Sequence, residues 1–125
     1  MATEYTLRRA DGRPFGSFEQ ARALIRQHFP SVEFFWTTSG LEKIRHAEAN
    51  GVELLPHIRQ WMATLPSLFE GVAQGDGYHV AFGMGTEEPV SCLYIEPRGD
   101  APDLERGLAA LEAEAGSKLK VSGSD

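Results

Sequence analysis

A chain of 125 residues with 42% hydrophobic content can bury roughly two-thirds of its unfolded surface as one ordinary domain, with no metal or disulfide required. Its formal net charge of −6 opposes phosphate attraction, and its basic residues are scattered, so nucleic acid is not an expected partner. One cysteine excludes an internal disulfide and a zinc motif, the opening Met-Ala-Thr-Glu-Tyr lacks the features of a leader, and no apolar run approaches the roughly 20 residues of a membrane span; a cytoplasmic protein without membrane attachment is expected.

The first predicted element is a short strand over Tyr5 to Ala10, ended by a turn at Asp11-Gly12. Arg8, Arg9 and Arg13 form the densest basic group, but Asp11 interrupts it and a solvated strand end accounts for it. Ser17-Phe18-Glu19-Gln20 fits a capping box and opens a helix. Its stripe is Phe18, Ala21, Leu24, Ile25, His28 and Phe29, and Pro30 closes it. His28 sits at the edge of that stripe and reads as a packing residue.

Val32 to Thr37 is β-branched and aromatic, which predicts a second strand, buried on both faces and central in its sheet. Trp36 at its end suits core packing or stacking on a ligand. Ser39 to Glu42 repeats the capping pattern and starts a helix to about Ala49, with Leu41, Ile44 and Ala47 facing inward and Asn50-Gly51 ending it. A further helix begins at Pro56, whose absent N–H is harmless in a first turn, and carries an apolar stripe of Ile58, Trp61, Met62 and Leu65 before Pro66 stops it.

A three-stranded meander follows, Leu68 to Gln74, Tyr78 to Met84 and Pro89 to Glu96, with turns at Gly75-Asp76-Gly77 and Gly85 to Glu88. A last helix is capped by Asp100, begins near Pro102, carries Leu104, Leu108 and Leu111, and ends at Gly116. Lys118 to Ser122 completes the chain as a short edge strand. The fold class is therefore α+β: a single domain over residues 1–125, built as a two-layer sandwich. Its mainly antiparallel sheet has the meander (about 68–96) at its centre and amphipathic helices packed against it. Strand order is left open, as is the face on which the last helix lies.

Period-two alternation in the meander assigns Leu68, Val72, Tyr78, Val80, Phe82, Met84, Leu93 and Ile95 to a core face. The opposite face then holds Phe69, Gly71, Ala73, His79, Ala81, Gly83, Cys92 and Tyr94. Small residues there leave a shallow floor that a second subunit, a helix or a flat ligand could approach. The register behind this assignment sets Ala81 opposite Cys92 and His79 opposite Tyr94, and a slip of one residue exchanges the faces.

No catalytic, cofactor or metal motif is present. The histidines have no ligand spacing, the glycine-rich turns introduce no phosphate-binding helix, and no cofactor is expected. Three functions follow from the small-residue face. It can be a surface for a homodimer or another protein partner. It can be a small-molecule site, with Phe69, Ala81, His79, Tyr94 and Trp36 as binding residues. As a weaker third reading, Cys92 and His79 form the catalytic pair of an enzyme if they meet within hydrogen-bond reach.

Overall fold

The computed structural model describes residues 3–122, and the chain divides into two compact bodies. One comprises the residues up to Phe35 together with those from Phe69 onward, and the other is Trp36–Leu68. Among the described residues the architecture is α+β, with a six-stranded antiparallel sheet and four helices. The strands are β1 (Tyr5–Leu7), β2 (Glu33–Trp36), β3 (Phe69–Gly75), β4 (Tyr78–Gly85), β5 (Leu93–Gly99) and β6 (Lys120–Val121). The helices are α1 (Phe18–His28), α2 (Gly40–Ala49), α3 (Pro56–Ala63) and α4 (Pro102–Ala115). The sheet order is β2-β3-β4-β5-β1-β6, so the meander lies at its centre, as expected.

The apolar periodicities explain the larger body. Ala21 and Ile25 of α1 and Leu104, Leu111 and Ala115 of α4 join Val80, Phe82, Met84, Leu93 and Ile95 of the meander in one buried cluster. Both helices therefore cover the same sheet face, which makes the two-layer sandwich and places α4 on the core side. Helix α1 starts with the full capping box: Ser17 Oγ accepts from the Gln20 N–H, and the Gln20 side chain accepts from the Ser17 N–H. Helix α4 ends at Gly116 in the left-handed conformation, but its N-cap is Ala101 rather than Asp100, with no side-chain cap.

The expected face assignment of β3 is overturned. The hairpin closes on the pair Gly75↔Tyr78, which sets Gly71 opposite Phe82 and Ala73 opposite Val80. The turn is one residue tighter than the expected Gly75-Asp76-Gly77 loop. A slip of one residue inverts a strand, so Phe69, Gly71 and Ala73 point into the core while Val72 turns away from it. Between β4 and β5 the pairs are Gly83↔Tyr94, Ala81↔Glu96 and His79↔Arg98, a shift of four residues from expectation. An even shift preserves the faces, so Leu93 and Ile95 stay inside.

Strand β2 is also not central: it ends the sheet, and Phe35 is exposed. Its aromatic content is accommodated on the other face, where Phe34 stacks on Phe69 with centroids 5.8 Å apart. Arg22 and Arg26 of α1 each lie 5.4 Å from the centre of the Phe34 ring, so two cations shield this edge. Gly71 is required beneath it, because a Cβ there would meet the Phe34 ring at 2.8 Å.

Gly107 is the corresponding point on α4. A Cβ on it would drive into the Phe29 ring, with both ring Cε atoms at 2.8 Å. Phe29 cannot retreat, since it is buried and packs on Phe82 at 5.3 Å and on Tyr78 at 6.4 Å. Helix propensity alone makes glycine-to-alanine favourable by about 1 kcal/mol. Overpacking of a closed site costs about 1–3 kcal/mol and opposes it. Gly107→Ala is accordingly expected to lower stability, by up to about 2 kcal/mol net in urea unfolding.

Candidate functional site

Of the sequence-predicted site residues, His79, Ala81 and Tyr94 stay in successive rows on one sheet face, while Phe69, Cys92 and Trp36 do not join them. Phe69 is 6% exposed and packs in the core against Phe18 and Phe34, so it is removed from any open face. Cys92 lies in the segment before β5, buried, with its thiol directed to the Leu93 carbonyl at 3.7 Å. His79 pairs with Arg98, and Cys92 stands six residues further back along that chain, about 20 Å of extended backbone away. The Cys92–His79 pair is therefore not formed. Trp36 belongs to the second body and is more than half exposed, where core packing was one expectation.

What remains on the uncovered face of the sheet is a set of cross-strand rows. Gln74, His79 and Arg98 form one row, and Val72, Ala81 and Glu96 the next. The third runs Glu70, Gly83, Tyr94, Thr6 and Lys120. Neither α1 nor α4 lies on this side, and Tyr94 is 39% exposed. The face is more polar than expected because the β3 residues it presents are Glu70, Val72 and Gln74 in place of Phe69, Gly71 and Ala73. Glu96 and Arg98, two residues apart on β5, form an ion pair at 3.0 Å.

Elsewhere on this body a surface groove of about 410 Å³ lies between α1 and α4, lined by Gln27, His28, Pro30, Tyr78 and Arg106 among others. His28 Nε2 stands 3.5 Å from Glu114 Oε1, and Arg106 pairs with Asp103 at 3.2 Å. Within the basic group near the start, Arg9 is paired locally. Arg9 donates to both Asp11 oxygens, and with the Arg13 N–H it holds the Asp11 carboxyl down at about 2. Among the described residues no three histidine, cysteine, aspartate or glutamate side chains gather where a metal ion could be held, and no helix is long and apolar enough to cross a membrane.

The second body is a helical hairpin, and it carries the surface that sequence reasoning missed. Ser39 Oγ accepts from the Glu42 N–H to start α2, as its spacing predicts. The two helices then meet by backbone. Gly40 donates its N–H to the Leu65 carbonyl at 2.8 Å, and a Cβ on Gly40 would overlap the Met62 carbonyl. Ile44 is the one large side chain of the hairpin that is fully buried among the described residues. So close an approach leaves little room for an apolar core between the helices.

The consequence is exposure. Leu41, expected to face inward, is half exposed, and Val52 in the connection is too. None of the described residues of α3 is buried: Leu55 at its N-cap is 58% exposed, Trp61 is 62% exposed, and Ile58 between them is also on the surface. These three recur at i, i+3 and i+6, which strings them along one flank of the helix, while Met62 and Leu65 of the predicted stripe are half-buried. Of the large hydrophobic side chains exposed among the described residues, most belong to this one short body, including Trp36, Leu41, Val52, Leu55, Ile58 and Trp61. The missed signal was arithmetic: some thirty residues in two short helices cannot enclose this many large side chains.

No protein-family model matches this chain, and neither a curated protein nor a solved structure matches it. The assignment therefore rests on the surface itself.

Gly40 decides whether that surface exists as a rigid unit. Gly40→Ala is expected to force α2 away from the α3 backbone, at about 1–3 kcal/mol. Amide exchange should then accelerate across residues 40–65 while the amides of β4 and β5 remain slow.

Proposed function

We propose that this chain is an association domain whose contact surface is the apolar flank of α3, formed by Leu55, Ile58 and Trp61. The observation that carries the reading is the concentration of exposed large hydrophobic side chains on the hairpin. Scattered surface leucines are ordinary, but a run of them on one helix with a tryptophan at its end is the composition of a binding hot spot. The Cys92 thiol and the His79 imidazole, the pair on which a catalytic reading rested, lie about 20 Å apart along neighbouring strands.

A second reading keeps the uncovered sheet face as a partner surface, supported by Tyr94 standing partly exposed beside Gly83. Its rows mix small, polar and charged residues, and Tyr94 is the one exposed large hydrophobic side chain among those named in them.

A photo-crosslinking amino acid placed at position 58 in living cells tests the first reading against the second. A discrete adduct is expected from position 58 and none from position 105, which is exposed on α4. Trp61→Asp should abolish the adduct and Ala81→Arg should leave it unchanged. An adduct abolished by Ala81→Arg and untouched by Trp61→Asp would transfer the function to the sheet face, and the absence of any adduct would remove the association reading.

A further inference from the structure

The hairpin differs from the rest of the chain in charge as well as in hydrophobicity. Between Trp36 and Leu68 the acidic residues Glu42, Glu48 and Glu53 are matched by Lys43, Arg45 and Arg59, so this body is formally neutral. The entire formal charge of −6 resides on the larger body. Two of these larger bodies brought face to face repel one another, at a distance set by the Debye length of about 8 Å in physiological salt. The hairpins do not. The body that carries most of the exposed large hydrophobic side chains is thus also the one that is formally neutral.

The stripe is self-complementary as well. Helix α3 has eight residues, about 12 Å of axis. Ile58 stands midway between Leu55 and Trp61, three residues from each. Laying two such helices antiparallel about a two-fold axis sets Ile58 against Ile58 and each Trp61 beside the partner's Leu55. A two-fold contact of this kind uses the same patch on both copies and closes on itself without leaving a free edge. The large indole then fills the space next to the smaller leucine at both ends, the alternation of sizes that lets facing helix surfaces interlock.

Resting on the association reading above, we infer that the partner of the α3 flank is a second copy of this chain, with the two α3 helices antiparallel and Ile58 on the two-fold axis. Arg59 is held to Glu48 of its own hairpin at 3.3 Å, so this cation enters the contact already paired. Burial of Trp61 and Leu55 from one copy against those of the other supplies the drive.

Light scattering over a wide range of concentrations, with wild type, Ile58→Asp and Ala81→Arg, tests this inference together with disulfide trapping of Ile58→Cys. The wild type is expected to reach the mass of two chains, and Ile58→Asp to weaken its dimer by about a hundredfold or more in Kd, with its circular dichroism unchanged because position 58 is on the surface. Ile58→Cys should form a covalent dimer under mild oxidation, which the wild type, whose Cys92 is buried, should not. A dimer that Ile58→Asp leaves intact overturns the inference, and its loss in Ala81→Arg would then locate it on the sheet face. A wild type that stays monomeric at every concentration also overturns it. In that case an adduct of another mass from position 58 in cells preserves the association reading, and the absence of any adduct ends both.

Discussion

The larger body depends on where the ring of Phe29 is allowed to sit. This residue closes α1, its N–H bonded to the Ile25 carbonyl, and its side chain drops between α4 and the sheet. The ring fits because residue 107 has no side chain, and it is fixed because Phe82 and Tyr78 stand behind it. Three layers of information meet there: a helix end set by Pro30, a glycine that weakens α4 locally, and a strand whose alternation places an aromatic ring inward. Buried phenylalanines contribute about 3–5 kcal/mol each, a large share of the total of about 5–15 kcal/mol expected for a domain. This contact joins α1, α4 and the sheet at a single ring within the shared core.

Much of that arrangement was legible in the sequence, for identifiable reasons. The capping residues at Ser17 and Ser39, the left-handed Gly116 and the alternation along β4 are local signals that neighbouring residues alone decide. The inversion of β3 was not legible, because it turns on whether Gly75 belongs to the loop or to the ladder, and glycine suits both. That single ambiguity moved Phe69 from the proposed surface into the core. The edge position of β2 was hidden for a different reason. Aromatic residues on both faces suggest a central strand, and only the fold reveals that Arg22 and Arg26 cover Phe34 while Phe35 meets solvent.

The two bodies solve the packing problem in opposite ways. In the larger one, side chains from helices and strands interlock and the backbone of α4 comes close at one glycine. In the hairpin the backbones themselves come together at Gly40, and the apolar side chains of α3 are displaced outward by that closeness. A helix pattern that reads as amphipathic thus means burial in one body and exposure in the other. Periodicity reports that a helix has an apolar flank, but what the flank faces is decided by how near the next backbone lies.

The ends of the hairpin are joined to each other. The Thr37 N–H donates to the Leu68 carbonyl and the Leu68 N–H to the Thr37 hydroxyl, both at 2.8 Å, so the chain leaves β2 and returns to β3 through one clasp. A segment clasped in this way behaves as a cassette. Lengthening it adds little loop-closure entropy, since each doubling costs only about 0.6 kcal/mol, and sequence change inside it makes no demand on the register of the sheet. A chain built like this can exchange what it recognises without altering what makes it fold.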